Sequence, residues 1–356
     1  MNAEAMDRDL STLVWTPPAP TAPPALDAFW LGEDAMAAVM KTEQHSPRLF
    51  WDDPPWDYVD ATTAQSIYHR VGSLPIAVSA LGSHIGEVNR TVQDGDDAMF
   101  EHRIVPYRAE RYGLAAEDIR DAGTIDLRIG FNGAFDRSRA YSENERRRLG
   151  LSDTDGDWPA AGLPVECRTM KDVALKVRQL RELGDVLSSG ATDAMRIHVS
   201  LSAACLADHL KDVVAWNVDG LTIRADDEAW SGVPLAAMVR RLRTDLDQAD
   251  RDEVALWLVP PATTPDEDLA KLVALGASAV AIDHWCDPLI WKSGVATEVE
   301  TVINELAIKV TRFRSRIRSL RHHGDAIPLG CTDGDVAKRL GLPMVAMRFR
   351  DRTPRS

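Results

Sequence analysis

The sequence predicts an α/β fold: a (β/α)8 barrel of the TIM type with an extended N-terminal arm and a long C-terminal helix. Three observations carry that reading. From about Leu163, short runs rich in Val, Ile and Leu alternate with segments of helical spacing. Units of this length force a parallel sheet, because each helix must carry the chain back across it. Earlier strand candidates raise the count toward eight, which favours closure of the sheet over an open, doubly wound arrangement.

Residues 1–60 read as the arm. PPAPTAPP at Pro17–Pro24 favours polyproline II, and Pro47, Pro54 and Pro55 interrupt the stretch after it. Its aromatics, Trp15, Phe29, Trp30, Phe50, Trp51 and Trp56, are too many for a solvated tail, so parts of it should pack on the domain or on a partner subunit. Residues 61–325 are expected to form the barrel and 326–356 a tail.

Within the barrel, strands are expected at Leu74–Ser79, Thr124–Phe131, Val165–Thr169, Met195–Leu201, Gly220–Arg224, Val254–Val259 and Ala279–Asp283. The stretch Glu87–Ala161, rich in Asp, Arg and Gly, holds either missing strands or an insertion. Helices follow from apolar residues three and four apart: Met170, Val173, Val177 and Leu180; Leu206, Leu210 and Val213; Leu235, Met238, Leu242 and Leu246. After the Val254–Val259 strand, Thr264 suits an N-cap, Pro265 the first helical position, Glu267 a capping box and Gly276 the helix end. The last helix spans about Thr297–Arg321, with the seam Ile303, Leu306, Val310, Phe313, Ile317 and Leu320. That seam should be covered by the arm or by a second subunit, making residues 297–321 a candidate homo-oligomer contact. Its arginines, Arg312, Arg314, Arg316, Arg318 and Arg321, read as a solvated face.

Composition narrows the partners. A net charge of -14 opposes both a nucleic-acid backbone and an anionic membrane surface. The four cysteines, Cys167, Cys205, Cys286 and Cys331, include no close pair, the usage of a reducing compartment. The N-terminus lacks a basic start and an apolar run, so a soluble, cytoplasmic protein is expected. SDTDGDW carries alternating aspartates but Pro164 stands where a calcium loop needs Glu, so it reads as a solvated acidic turn and no metal is assigned to it.

Several residues are candidates for chemistry at a barrel mouth. Asp283 and His284 follow the last strand, and with Asp226 and Asp227 could form an acid/base or metal site or simply a hydrogen-bonded loop. His198 and Ser200 share one face of their strand, as site residues or as satisfied buried polar groups. Cys286 is a possible nucleophile without an evident base.

The order of these pieces resembles the FMN-binding barrel of glutamate synthase, over Leu74–Gly82 and Val165–Gly324. RTMKDVALKVRQLRELG, MRIHVSLSA and LAKLVALGASAVAI resemble successive helix, strand and helix-strand segments of that family; SGVATE resembles its Val-Gly-Val-Ala-Thr-Gln before a long helix; PIAVSALG resembles its first strand. The resemblance implies FMN as cofactor, an iron-sulfur cluster, amination of 2-oxoglutarate, and Ser79, Gly82 and Arg224 as cofactor-binding positions.

The chain departs from that pattern where the chemistry lies. RADDEAWSG replaces a glycine-rich loop after the Gly220–Arg224 strand, Pro260 and Pro261 remove amide donors, and Asp283 stands where phosphate would lie. Ser200 takes the place of the flavin-facing lysine, and Cys286 alone cannot hold a cluster, so no iron-sulfur centre is expected. No N-terminal cysteine follows Met1 to act as an amidotransferase nucleophile. The sequence therefore leaves open a glutamate synthase-type oxidoreductase, a degenerate barrel retained for binding, regulation or structure, and an enzyme with a rebuilt site at the mouth. In each case the mouth is where a small-molecule ligand is expected.

Overall fold

The computed structural model describes residues 10–15, 49–56, 59–72, 74, 76–79, 103–107, 119, 122–129, 163–164, 167–187, 195–225, 228–293, 298–320 and 329–345. Eight parallel strands close a barrel in sequence order: β2 (Leu49–Trp51), β3 (Ile76–Ser79), β4 (Arg103–Tyr107), β5 (Thr124–Ile129), β6 (Arg196–Ser202), β7 (Gly220–Arg224), β8 (Ala255–Val259) and β9 (Ala279–Ala281). Closure comes from β9 pairing with β2, Val280 opposite Leu49 and Ala281 opposite Phe50. The predicted (β/α)8 barrel is the fold.

Helices α1 (Ala61–Gly72), α2 (Met170–Leu187), α3 (Leu206–Ala215), α4 (Val233–Gln248), α5 (Asp266–Ala274), α6 (Asp283–Ser293) and α7 (Val299–Leu320) accompany the strands. Val173, Val177 and Leu180 on α2 and Leu235, Leu242 and Leu246 on α4 bury the stripes that their spacing predicts. Along the strands the two-residue period divides two cores. Ile125, Leu127, Ile197, Val199, Leu221, Ile223, Leu256 and Leu258 face the helices. Phe50, Ala77, Ile104, Trp257, Val259, Ala279 and Ala281 fill the barrel. Small alanines on β9 leave space for the Phe50 and Trp257 rings, 4.7 Å apart.

Several local expectations are corrected. Cys167–Thr169 is not a strand: it is a bend leading into α2, where Asp172 accepts the amides of Arg168 and Thr169. Strand β2 lies inside the stretch assigned to the arm, and β4 falls in the stretch left open for missing strands, where Pro106, which cannot donate to a ladder, hides it. Helix α5 begins after Pro265, and Thr264 makes no capping bond. Gly276 ends it at φ +122°, and a side chain there would collide with Arg243.

Of the arm, β1 (Leu13–Trp15) pairs antiparallel with β10 (Leu329–Cys331), within the stretch read as a tail, and α8 (Gly334–Leu340) follows. Leu10 is pinned to α5: its amide donates to Asp268 at 3.1 Å and its carbonyl accepts from Lys271 at 2.7 Å. PPAPTAPP lies outside the described residues. Along the seam of α7, Ile303, Leu306, Val310 and Phe313 are buried in a core shared with Leu10, Leu13, Trp51 and Trp56 of the predicted arm, with α1, α5 and α6 alongside, and Ile317 packs against it. Among the described residues, no helix is long and apolar enough to cross a membrane.

Candidate functional site

The inward positions at the C-terminal ends of the strands are charged. On β5 the alternation of Thr124, Asp126 and Arg128 turns the polar side chains into the barrel and Ile125, Leu127 and Ile129 toward the helices. On β7 the same alternation places Arg224 inward, and Asp52 is the next inward residue after Phe50. All four side chains are at most 5% exposed, in the part of a TIM barrel that ordinarily carries a site.

Asp52 ties the two guanidiniums together. One carboxylate oxygen accepts from Arg128 at 2.7 Å and from Arg224 at 3.1 Å; the other accepts from Arg224 at 2.5 Å. Arg128 also donates to Asp126 at 2.9 Å, to Asp53 at 3.1 Å and to the Asp52 carbonyl at 3.2 Å. Asp283, at the start of α6, accepts the amides of Asp52 at 3.2 Å and Asp53 at 2.7 Å. One turn along α6, Asp287 accepts from the Trp51 indole at 3.0 Å.

Five carboxyl groups therefore surround two guanidiniums. Removing charge from water in this crowd favours the neutral acids. Burial, with the charges of Asp52 and Asp287, pushes Asp283 well above the ordinary carboxylate range despite its amide bonds. Burial raises Asp287 to about 7, against the bond from Trp51 and with help from Asp53 and Asp52. Asp126 is raised by burial although Arg128 pulls it down.

Beside and within this cluster the lumen is lined with polar atoms that have no protein partner. The hydroxyls of Ser79, Ser200 and Thr222, one carboxylate oxygen of Asp126, Nε of Arg224 and Nδ1 of His198 are all buried and unpaired. Ser200 stands opposite Arg128 on one side and Thr222 on the other. His198 packs edge-on against Trp257, with ring centroids 4.4 Å apart, over Gly220, where a methyl group would strike the imidazole. Burial lowers its pKa to about 3, so it is a neutral ring in the lumen and not a poised base.

The Asp283–His284 pair is split by the turn of α6. Asp283 faces the mouth, whereas His284 points into the helix layer, 3.6 Å from Asp266, beyond hydrogen-bond reach. Asp266 instead accepts from the Trp285 indole at 2.6 Å and from Lys309 at 3.2 Å. Burial lowers the His284 pKa, Asp266 opposing and Lys309 assisting. Burial and the charges of Asp283 and Asp287 push the Cys286 thiol far up, so it is no thiolate nucleophile. Ser79 ends β3 in the lumen and Arg224 lies in the ionic cluster; Gly82, Asp226 and Asp227 lie outside the described residues. Asp52, Asp53, Asp126, Arg128 and Asp287 were missed. The inward Asp–Arg alternation of TIDLRI was the one usable signal.

Among the described residues, the donor set does not fit a flavin phosphate. Arg224 and Arg128 are engaged by Asp52, the amides of Asp52 and Asp53 are engaged by Asp283, and Pro260 and Pro261 offer no amide after β8. Among the described residues, no group of three His, Cys, Asp or Glu side chains is arranged to hold a metal ion.

The chain matches no protein-family profile and no curated protein sequence. Solved structures do resemble it. A double mutant of flavocytochrome b2 with pyruvate bound superposes with a TM-score of 0.50 at 12% identity, covering 97% of this chain and 82% of that one. The recombinant flavin-binding domain of baker's yeast flavocytochrome b2 gives 0.46 at 12% identity, covering 86% and 76%. Mandelate oxidase with benzoyl-formic acid gives 0.47 at 11% identity, covering 97% and 92%. At 12% identity the first of these likenesses speaks to the barrel fold alone.

Proposed function

We propose that this chain is a diverged barrel of the FMN-oxidoreductase kind, with the glutamate synthase-like order of segments, whose flavin site has given way to a small-molecule binding site. It acts in binding or regulation, not in flavin catalysis. One observation carries the reading: both mouth guanidiniums close on Asp52, within the chain itself. A phosphate would have to displace a buried carboxylate bonded at three points and then meet Asp283. Flavins in the structurally similar proteins are in keeping with the ancestry and do not bear on this chemistry.

Titration of FMN, followed by quenching of flavin fluorescence, tests the reading. No stoichiometric complex is expected at micromolar protein, and a tight one-to-one complex overturns it. A rebuilt enzyme is the second reading, favoured by Asp287, whose pKa of about 7 at the mouth suits a general acid or base. Self-association through α7 would use its outward face, where Ile308, Arg312, Arg314 and Arg316 are exposed.

A further inference from the structure

The ligand that this mouth would take can be read from its charge and from its unpaired atoms. Among the described residues the carboxylates of Asp52 and Asp53 match the two guanidiniums in charge, and each of Asp126, Asp283 and Asp287 that ionises adds one uncompensated negative charge. An anion is disfavoured there; a cation would be drawn in.

A second and independent feature lies beside the acids. The Ser200 and Thr222 hydroxyls are 0% and 1% exposed, face the lumen on adjacent strands and have no protein partner. Asp126, 3% exposed, leaves one oxygen unpaired although the other accepts from Arg128. Ser200 is one inward step from His198, the register partner of Asp126, so the three acceptors line one wall across β5, β6 and β7. Leaving a buried acceptor unpaired is unfavourable, so a donor that serves all three gains from each. Arg224 Nε, also unpaired, supplies one donor.

We propose that the mouth binds a small organic primary ammonium, its N–H groups donated to Asp126, Ser200 and Thr222 and an adjacent ligand oxygen accepting from Arg224. An ammonium presents several N–H donors from one compact cation, which matches one carboxylate with two hydroxyls better than it matches an all-carboxylate cage. The assignment rests on the reading of the chain as a binding barrel.

Ethanolamine hydrochloride is the probe, because it carries the ammonium and the oxygen together. At constant ionic strength it should raise the thermal midpoint saturably. The effect should be larger at about pH 8 than at about pH 6, since the ammonium competes with protons held by Asp126, Asp283 and Asp287. Ser200→Ala, which leaves every charge in place, should weaken the apparent affinity several-fold, and Asp126→Asn should abolish the response. If Asp126→Asn does not fold, Ser200→Ala alone decides. An equal rise with tetramethylammonium chloride, which has the charge without N–H donors, overturns the proposal. So does no rise at all, or an undiminished rise in Ser200→Ala. Stoichiometric FMN uptake would overturn the binding-barrel reading itself, whereas failure of ethanolamine in a flavin-free protein overturns this assignment only.

Discussion

Asp283 and His284 are neighbours in sequence and belong to two different clusters. Asp283 joins a mouth in which Asp52, Asp126, Arg128 and Arg224 are at most 5% exposed. His284 joins Asp266, Trp285 and Lys309 in the helix layer, where the Asp266 side chain is 49% exposed. Both clusters contain acids, a cation and an indole donor. Water separates them energetically: in the mouth each charge depends on a protein partner, whereas Asp266 and Lys309 can fall back on solvent.

The largest difference should appear on removing one acid from each cluster. Asp52→Ala leaves two buried guanidiniums without their shared partner and should cost about 3–5 kcal/mol in denaturant unfolding. Asp266→Ala, by contrast, should cost about 1 kcal/mol or less. Equal losses would erase the distinction between the clusters.

The mouth should also give stability an unusual pH dependence. Asp287 has a folded pKa of about 7, above its unfolded value, so its contribution is fully present below about pH 4 and is lost as pH rises to about 7. His198 works in the opposite direction: held neutral at about 3, it costs stability as pH falls below about 6.5. Because the two overlap, the difference between variants is the clean observable. Asp287→Asn should match wild type near pH 4 and exceed it near pH 8 by on the order of 2 kcal/mol, allowing for part exposure. Parallel pH curves for the two proteins would show that Asp287 is solvated.

Packing sharpens the contrast as well. Gly220→Ala places a methyl against the buried His198 ring and should cost roughly 1–3 kcal/mol. The smallest effect is expected from Lys309→Ala, which removes a half-exposed ion pair and a cation over the Trp285 ring, for under about 1 kcal/mol. Both can be read from chemical denaturation midpoints.

The unevenness of the fold's signal in the sequence has the same physical root. Strands β6 to β9 are short apolar runs followed by helices of clear periodicity, because parallel strands are buried on both faces. Strand β2 is three residues long, LFW, beside Asp52, Asp53, Pro54 and Pro55, and without its register to β3 and β9 it reads as part of an extended arm. Strand β4 contains Pro106, a residue that argues against a strand wherever a ladder bond is needed.

The site was less legible than the fold. Arg224, Asp283, His198, Ser200 and Ser79 could be named from their places at or near strand ends. Asp52 and Asp53 could not, because their strand was not recognised. Asp126 and Arg128 were visible only as polar positions in TIDLRI. They acquire meaning once closure of the barrel turns that face inward.

A crystal structure grown with millimolar FMN at neutral pH tests the central claim most directly. The account predicts Asp52 bonded to both Arg128 and Arg224, with no flavin in the mouth. A flavin phosphate seated on Arg224, with Asp52 displaced, would contradict it.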